Sequence, residues 1–193
     1  MGRPSLKDKR RSEILDAVET CVIRYGVRGV TLEQVAEEAG LARALIRHNV
    51  GNKDEVLGAF VDRFLEAQTL EIEQTVNDLP EDDRVETLVD WLFDEAYVDP
   101  KALAVFEALM VAAPGDPQLA KGLRDWVTAF IDAVEEEVAK AYPEADTDAV
   151  LSVAVGLAGI YFNVDSLTAL GSMPGLRRAS KNATFRLLST LED

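Results

Sequence analysis

Apolar residues return along this chain with the period of a helix. Ile14, Ala17, Val18, Cys21, Val22 and Tyr25 recur at i, i+3, i+4, i+7, i+8 and i+11, and Gly26 stands where a left-handed cap would end the run. Val35, Ala36 and Ala39 face inward on a shorter stretch, Gly40 supplies a sharp turn, and Leu41, Leu45 or Ile46, and Val50 carry the stripe onward. Val56, Leu57, Phe60, Val61, Phe64 and Leu65 predict a helix running to about Val76, and Asn77–Asp83, with Pro80, is a polar break. Val85, Leu88, Val89, Leu92, Phe93 and Ala96 predict the next helix. After Asp99-Pro100, Leu103, Phe106 and Met110 mark another buried face. Asp116-Pro117 reads as an N-cap with Pro at the first helical position, opening a long stripe from Leu119 to Val138. The most apolar helix starts at Thr147 or Asp148 and reaches about Leu170, and Pro174 opens a last one with Leu176, Ala183, Leu187, Leu188 and Leu191 inward. No stretch alternates convincingly with period two. The fold class is all-α, with about nine helices.

Thr31–Leu57 is the most specific stretch. Thr31 with Gln34 forms a capping box at one helix start, and Asn52 with Glu55 repeats the signal at another. Small Ala36, then Gly40, then branched Ile46 is the spacing of a helix-turn-helix, whose second helix enters the major groove of DNA. Arg43, Arg47 and His48 occupy the face of that helix opposite its stripe. Lys53, beside the backbone N–H groups of a helix N-terminus, suits a phosphate oxygen. The stretch GRPSLKDKRR at residues 2–11, containing Arg3, Arg10 and Arg11, reads as a basic arm along the DNA backbone or into a minor groove.

The net charge of −15 speaks against nucleic acid until the chain is divided. Residues 1–53 carry ten Lys/Arg against seven Asp/Glu, whereas 54–193 carry ten against twenty-eight. A basic DNA-binding end, residues 1–53, on an acidic body, residues 54–193, removes the objection. The single Cys21 lies in a helical stripe as a small buried hydrophobe, so no intrachain disulfide is possible and a cytoplasmic setting is expected. The N-terminus lacks the apolar run of a signal peptide. Ala149–Val164, interrupted by Ser152, Gly156, Gly159 and Asn163, is expected to be too short to cross a bilayer.

Enzymatic motifs are missing: one His, one Cys, no HExxH, CxxC, GxSxG or P-loop, and no metal or cofactor is expected. Glu136-Glu137 and Asp82-Asp83 lie in polar stretches, and adjacent positions on a helix do not converge on one substrate. Within the body, Glu107, Met110, Tyr161, Asn163 and Asp165, with Trp91 and Trp126 as flat walls, could line a pocket for a small organic ligand. A packed core with satisfied polar groups explains the same residues equally well. Turnover on an all-α scaffold would have to depend on Glu107, Asp165 or His48, and no constellation supports it.

The arm, the Ile14–Leu15 helix start and the run GVRGVTLEQVAEEAGLARALIRHNVGNKDEVL resemble the TetR family of one-component bacterial transcriptional regulators. The motif covers the first third of the chain. The remainder is similar in helix order and length, nearest the betaine-regulator-like branch. The resemblance implies a DNA-bound homodimer joined through the last two helices, about Thr147–Leu170 and Pro174–Leu191, and a repressor that leaves a pseudo-palindromic operator when a small-molecule inducer fills its body. Carried over by position, Arg43, Ala44 and Arg47 face bases, while Thr31, His48, Asn49 and Lys53 hold the DNA backbone. The family usually has Ser or Thr where Ala42 stands, and often Tyr-His-Tyr-Phe where this chain has Arg47-His48-Asn49-Val50. Two arginines able to read guanine bidentately predict a guanine-containing half-site. A helical ligand-binding module with a vestigial DNA head is the alternative.

Overall fold

The computed structural model describes residues 6–192. Among them are nine α-helices, four short 3-10 turns and no strand. The chain divides into two compact units, residues 1–67 with 104–123, and residues 68–103 with 124–193.

In the first unit, α1 (Leu6–Gly29) buries Ile14, Leu15, Ala17, Val18, Cys21 and Val22. Gly26, at φ 68 and ψ 160, breaks it where the left-handed cap was expected, and a last helical turn follows. The basic arm is corrected over Leu6–Arg11, which is helical. Helix-forming side chains, Asp8 in the first turn and the Lys9 and Arg10 pairs with Glu13 extend α1 backwards. Helices α2 (Leu32–Glu38) and α3 (Arg43–Asn49) follow, and α4 (Lys53–Asp78) closes on them with Val56, Phe60 and Phe64 buried. Arg63 of α4 ties α1 through Asp16 at 2.7 Å and Glu19 at 3.8 Å. Burial pushes the Cys21 thiol up, as fits a hydrophobe rather than a nucleophile.

α6 (Pro100–Ala112), capped by Asp99, corrects the sequence reading of its faces. Val105, Leu109 and Ala112 are buried, while Met110 is 58% exposed and Glu107 is exposed. The helix is apolar nearly all round, so its period leaves the inward face undetermined and packing selects it; Phe106 meets Phe64 edge-on at 4.9 Å. Asp116 caps α7 (Pro117–Ala141) with Pro at its first position, as expected.

The second unit is built by α5 (Arg84–Leu92), the later part of α7, α8 (Thr147–Ser166) and α9 (Pro174–Leu188) around Val85, Leu88, Val89, Phe93, Phe130, Val134, Val138, Leu157 and Leu188. α5 stops at Leu92, short of the expected Ala96, because the Asp94 carboxylate accepts from the Ala96 N–H and starts a 3-10 turn. The inward side of α9 is corrected too. Leu176 is 38% exposed and Ala183 is exposed, while Arg177 and Thr184 turn inward beside Leu188.

Two buried ion pairs organise this unit. Arg177 donates to Asp165 at 2.7 Å, binding α9 to α8. Glu137, although it lies in a polar stretch of the sequence, is fully buried. Arg84 grips it through two bonds of 2.7 and 3.2 Å and donates to the carbonyls of Val76, Leu79 and Pro80 at and just beyond the C-terminal end of α4. The run Thr147–Leu170 spans 24 residues and holds an 18-residue stretch with a mean hydropathy of 1.6, so it is long and apolar enough to cross a bilayer, contrary to the length expected for it. In this structure Val150, Val153, Ala154, Leu157, Ala158 and Val164 from that run belong to the core.

Candidate nucleic-acid interface

Both capping boxes form. The Gln34 N–H donates to Thr31 Oγ1 at 3.3 Å, and the Thr31 N–H donates to Gln34 Oε1 at 2.8 Å. The Asp54 and Glu55 N–H groups donate to Asn52 Oδ1 at 2.9 and 3.2 Å, and the Asn52 N–H donates to Glu55 Oε2 at 2.7 Å. Each box satisfies backbone donors that a helix start leaves open, so α2 and α4 begin at fixed points on either side of α3. Gly40, at φ 62, makes the turn between α2 and α3. Ala42 caps α3 without a side-chain bond.

Ile46 is the anchor of α3, fully buried. This resolves the choice between Leu45 and Ile46 and sets the rotation of the helix. At about 100° per residue, Ala44 and His48 lie opposite Ile46 with Arg47 and Leu45 on their flanks. All four are exposed. Leu45, 43% exposed, is a surface residue of this helix that the apolar pattern alone could not separate from the core. Arg43, at the first turn of α3, is paired with Glu33 of α2. Asn49 turns its amide back onto the Leu45 carbonyl at 2.8 Å. Lys53 Nζ donates to the Arg28 carbonyl at 3.2 Å, stapling the end of α1 to the start of α4. Arg10 is held by Glu13 at 2.8 Å, Arg11 is exposed, and Arg3 lies outside the described residues.

The residues singled out for a body pocket separate. Glu107 and Met110 belong to the first unit and are exposed, and Asn163 is exposed on α8. Trp126, Tyr161 and Asp165 share one aromatic cluster in the second unit. Phe130 stacks on Tyr161 at 5.5 Å, Trp126 lies 5.7 Å from Phe162, and Phe93 meets Tyr161 edge-on at 6.2 Å. Burial pushes the Tyr161 hydroxyl up, and Asp165 beside it adds to the effect. Trp91 is half-buried with its ring 6.0 Å from Tyr97. A separate open groove of about 490 Å³ runs over Gly156, Gly159, Ile160 and Asn163 of α8 and Ala179, Ser180 and Ala183 of α9.

The bacterial regulatory protein family typified by TetR matches residues 14–60, which hold the later part of α1, both capping boxes and the start of α4. Over residues 14–60 the chain is similar to the DNA-binding segment of the TetR family. That segment is the one by which the chain resembles bacterial transcriptional regulators of the helix-turn-helix type. The HTH-type transcriptional regulator BetI of Burkholderia thailandensis is 26% identical over 178 residues, 91% of this chain and 88% of that protein. BetI of Stenotrophomonas maltophilia is 24% identical over 123 residues, 63% of each chain, so that match spans less than two thirds of the relative's length. A TetR-family transcriptional regulator from Cytophaga hutchinsonii shares the fold, with a TM-score of 0.75, 14% identity and 98% of both chains covered.

Proposed function

We propose that the chain acts in the cytoplasm as a homodimeric repressor, setting two α3 helices in successive major grooves of a pseudo-palindromic operator. The buried Ile46 carries this reading, because it turns Ala44, Arg47 and His48 outward together on a helix with capped neighbours. Arg43 and Arg47 read guanine, and Thr31, His48, Asn49 and Lys53, with the basic residues of α1, position the head on phosphates. The two subunits join through α8 and α9, whose outward face of Leu151, Val155, Gly159 and Leu176 is apolar or small. A small organic molecule received at the aromatic cluster around Tyr161 shifts the dimer toward a head spacing that misfits the operator. A coupling of about 1–3 kcal/mol suffices for a change of roughly 5–150-fold in affinity.

Electrophoretic mobility shifts on genomic fragments over a salt series test this. A sequence-preferring complex is expected, and its absence at low salt, with small molecules still bound, would establish the head as vestigial. Arg47→Ala should relax base preference. Lys53→Ala should weaken all sequences alike and lower the salt slope by about one. Equal effects from both would sink the division of roles.

A further inference from the structure

Glu33 is the second residue of α2, Arg43 is the first residue of α3, and their side chains form an ion pair across the turn. Neither partner is loose at its base. Leu32, Val35 and Ala36 are buried beneath α2 and Ile46 beneath α3, so two fixed helices hold the carboxylate against one end of the guanidinium. The pair is exposed on both sides, 52% for Arg43 and 61% for Glu33. Such a pair contributes little to folding. It also puts a negative charge on the helix that crosses the DNA backbone in this motif, where a carboxylate is repelled by phosphate.

We infer that Glu33 is a positioning residue for DNA reading, holding Arg43 by its Nη1 so that the Nε–Nη2 edge is presented to guanine in the major groove. An arginine reads guanine through two parallel N–H bonds, and this requires the plane of the fork to be set before contact. A free arginine on an exposed helix start instead finds the nearest phosphate, which carries no sequence information. Glu33 opposes that escape twice. It occupies one nitrogen of the fork, and its charge disfavours any placement of the head in which Arg43 leaves it facing the backbone. Guanine recognition by Arg43 therefore depends on an acid ten residues earlier that touches no base. The inference rests on the base-reading role proposed for Arg43.

The full-length protein first selects its site from a random duplex pool, and affinities for that site, its single-base variants and random DNA are then measured for four proteins: wild type, Glu33→Ala, Arg43→Ala and the double variant. Glu33→Ala should bind random DNA severalfold more tightly. At the base that Arg43→Ala affects, it should lose about three- to tenfold of discrimination, part of the roughly 5–150-fold a bidentate pair supplies. Adding Glu33→Ala to Arg43→Ala should change that discrimination no further. Glu33→Gln, which keeps an acceptor but drops the charge, should recover part of the discrimination. The inference is overturned if Glu33→Ala shifts specific and random DNA equally, acts at a different base, or has its full effect without Arg43. If Arg43→Ala alone leaves every base preference unchanged, the base-reading role fails, and that outcome is separate from a normal Arg43 effect without coupling to Glu33.

Discussion

Gly51 and Gly115 look alike in the sequence and differ in what a side chain would meet. Gly51 has φ 131, and an added Cβ would lie 2.8 Å from Glu55 Cβ, on the residue that caps α4 through the Asn52 N–H. Gly51→Ala therefore strains the backbone and displaces the cap, an expected loss of about 2–3 kcal/mol by urea denaturation. At Gly115 the obstacle is the end of the Arg28 side chain, which can swing aside, so Gly115→Ala should stay within about 0.5 kcal/mol of wild type. Near-equal losses would contradict this account. Residue-scale legibility followed the same division. Thr31, Gln34, Asn52 and Glu55 were readable because caps are local in sequence. Leu45 against Ile46 was not, because neighbouring apolar residues on a seven-residue helix are told apart only by what packs against them.

Between elements, the Arg84 guanidinium caps the end of α4 and binds Glu137 of α7. Burial pushes the Glu137 carboxyl up, but the hydrogen bonds from Arg84 and Lys140 outweigh it and hold it below its ordinary value. A carboxylate depressed in the folded state stabilises above its unfolded pKa, about 4.3 for glutamate, and loses that contribution as pH falls through the lower folded value. Thermal unfolding followed below about pH 4.3 should show this slope in wild type and a flatter one in Glu137→Gln. Arg84→Met alone should cost less than the roughly 3–5 kcal/mol of a fully broken buried pair, because Lys140 still donates to Glu137 at 2.8 Å, and Arg84→Met with Glu137→Met should recover much of the loss. No recovery would show that the bonds to the α4 carbonyls, rather than the ion pair, hold this junction. Helix boundaries were legible where Asn52, Asp99, Asp116 and Pro174 marked them, and missed at Asp94, whose carboxylate ends α5 early. Facing was legible where polar and apolar residues separate cleanly, as on α1, and failed on α6 and α9.

For the molecule as a whole, the open groove on α8 and α9 separates two glycines. A Cβ on Gly156 would press on Leu187 Cδ2 at 2.6 Å within the chain, whereas a Cβ on Gly159 meets nothing within 4 Å. Gly159→Arg should leave the helical circular dichroism of the subunit intact, convert the dimer to a monomer in sedimentation, and abolish operator binding. A dimer that persists would place the subunit interface elsewhere. Charge is likewise uneven along the chain, ten Lys/Arg against seven Asp/Glu in residues 1–53 and ten against twenty-eight after them, so a net −15 is compatible with DNA contact through the N-terminal part.

The all-α class, the helix-turn-helix and its caps were readable in the chain because each depends on residues within about four positions of one another. Three-dimensional packing decided which face of α6 and α9 is buried, that Glu137 lies in the core, and that Glu33 meets Arg43. Those outcomes depend on partners distant in sequence or on another helix, where periodicity records that a face exists but not what it meets. Nothing in the polar stretch around Glu137 marks it as a core acid until its arginine, 53 residues away, is seen to neutralise it.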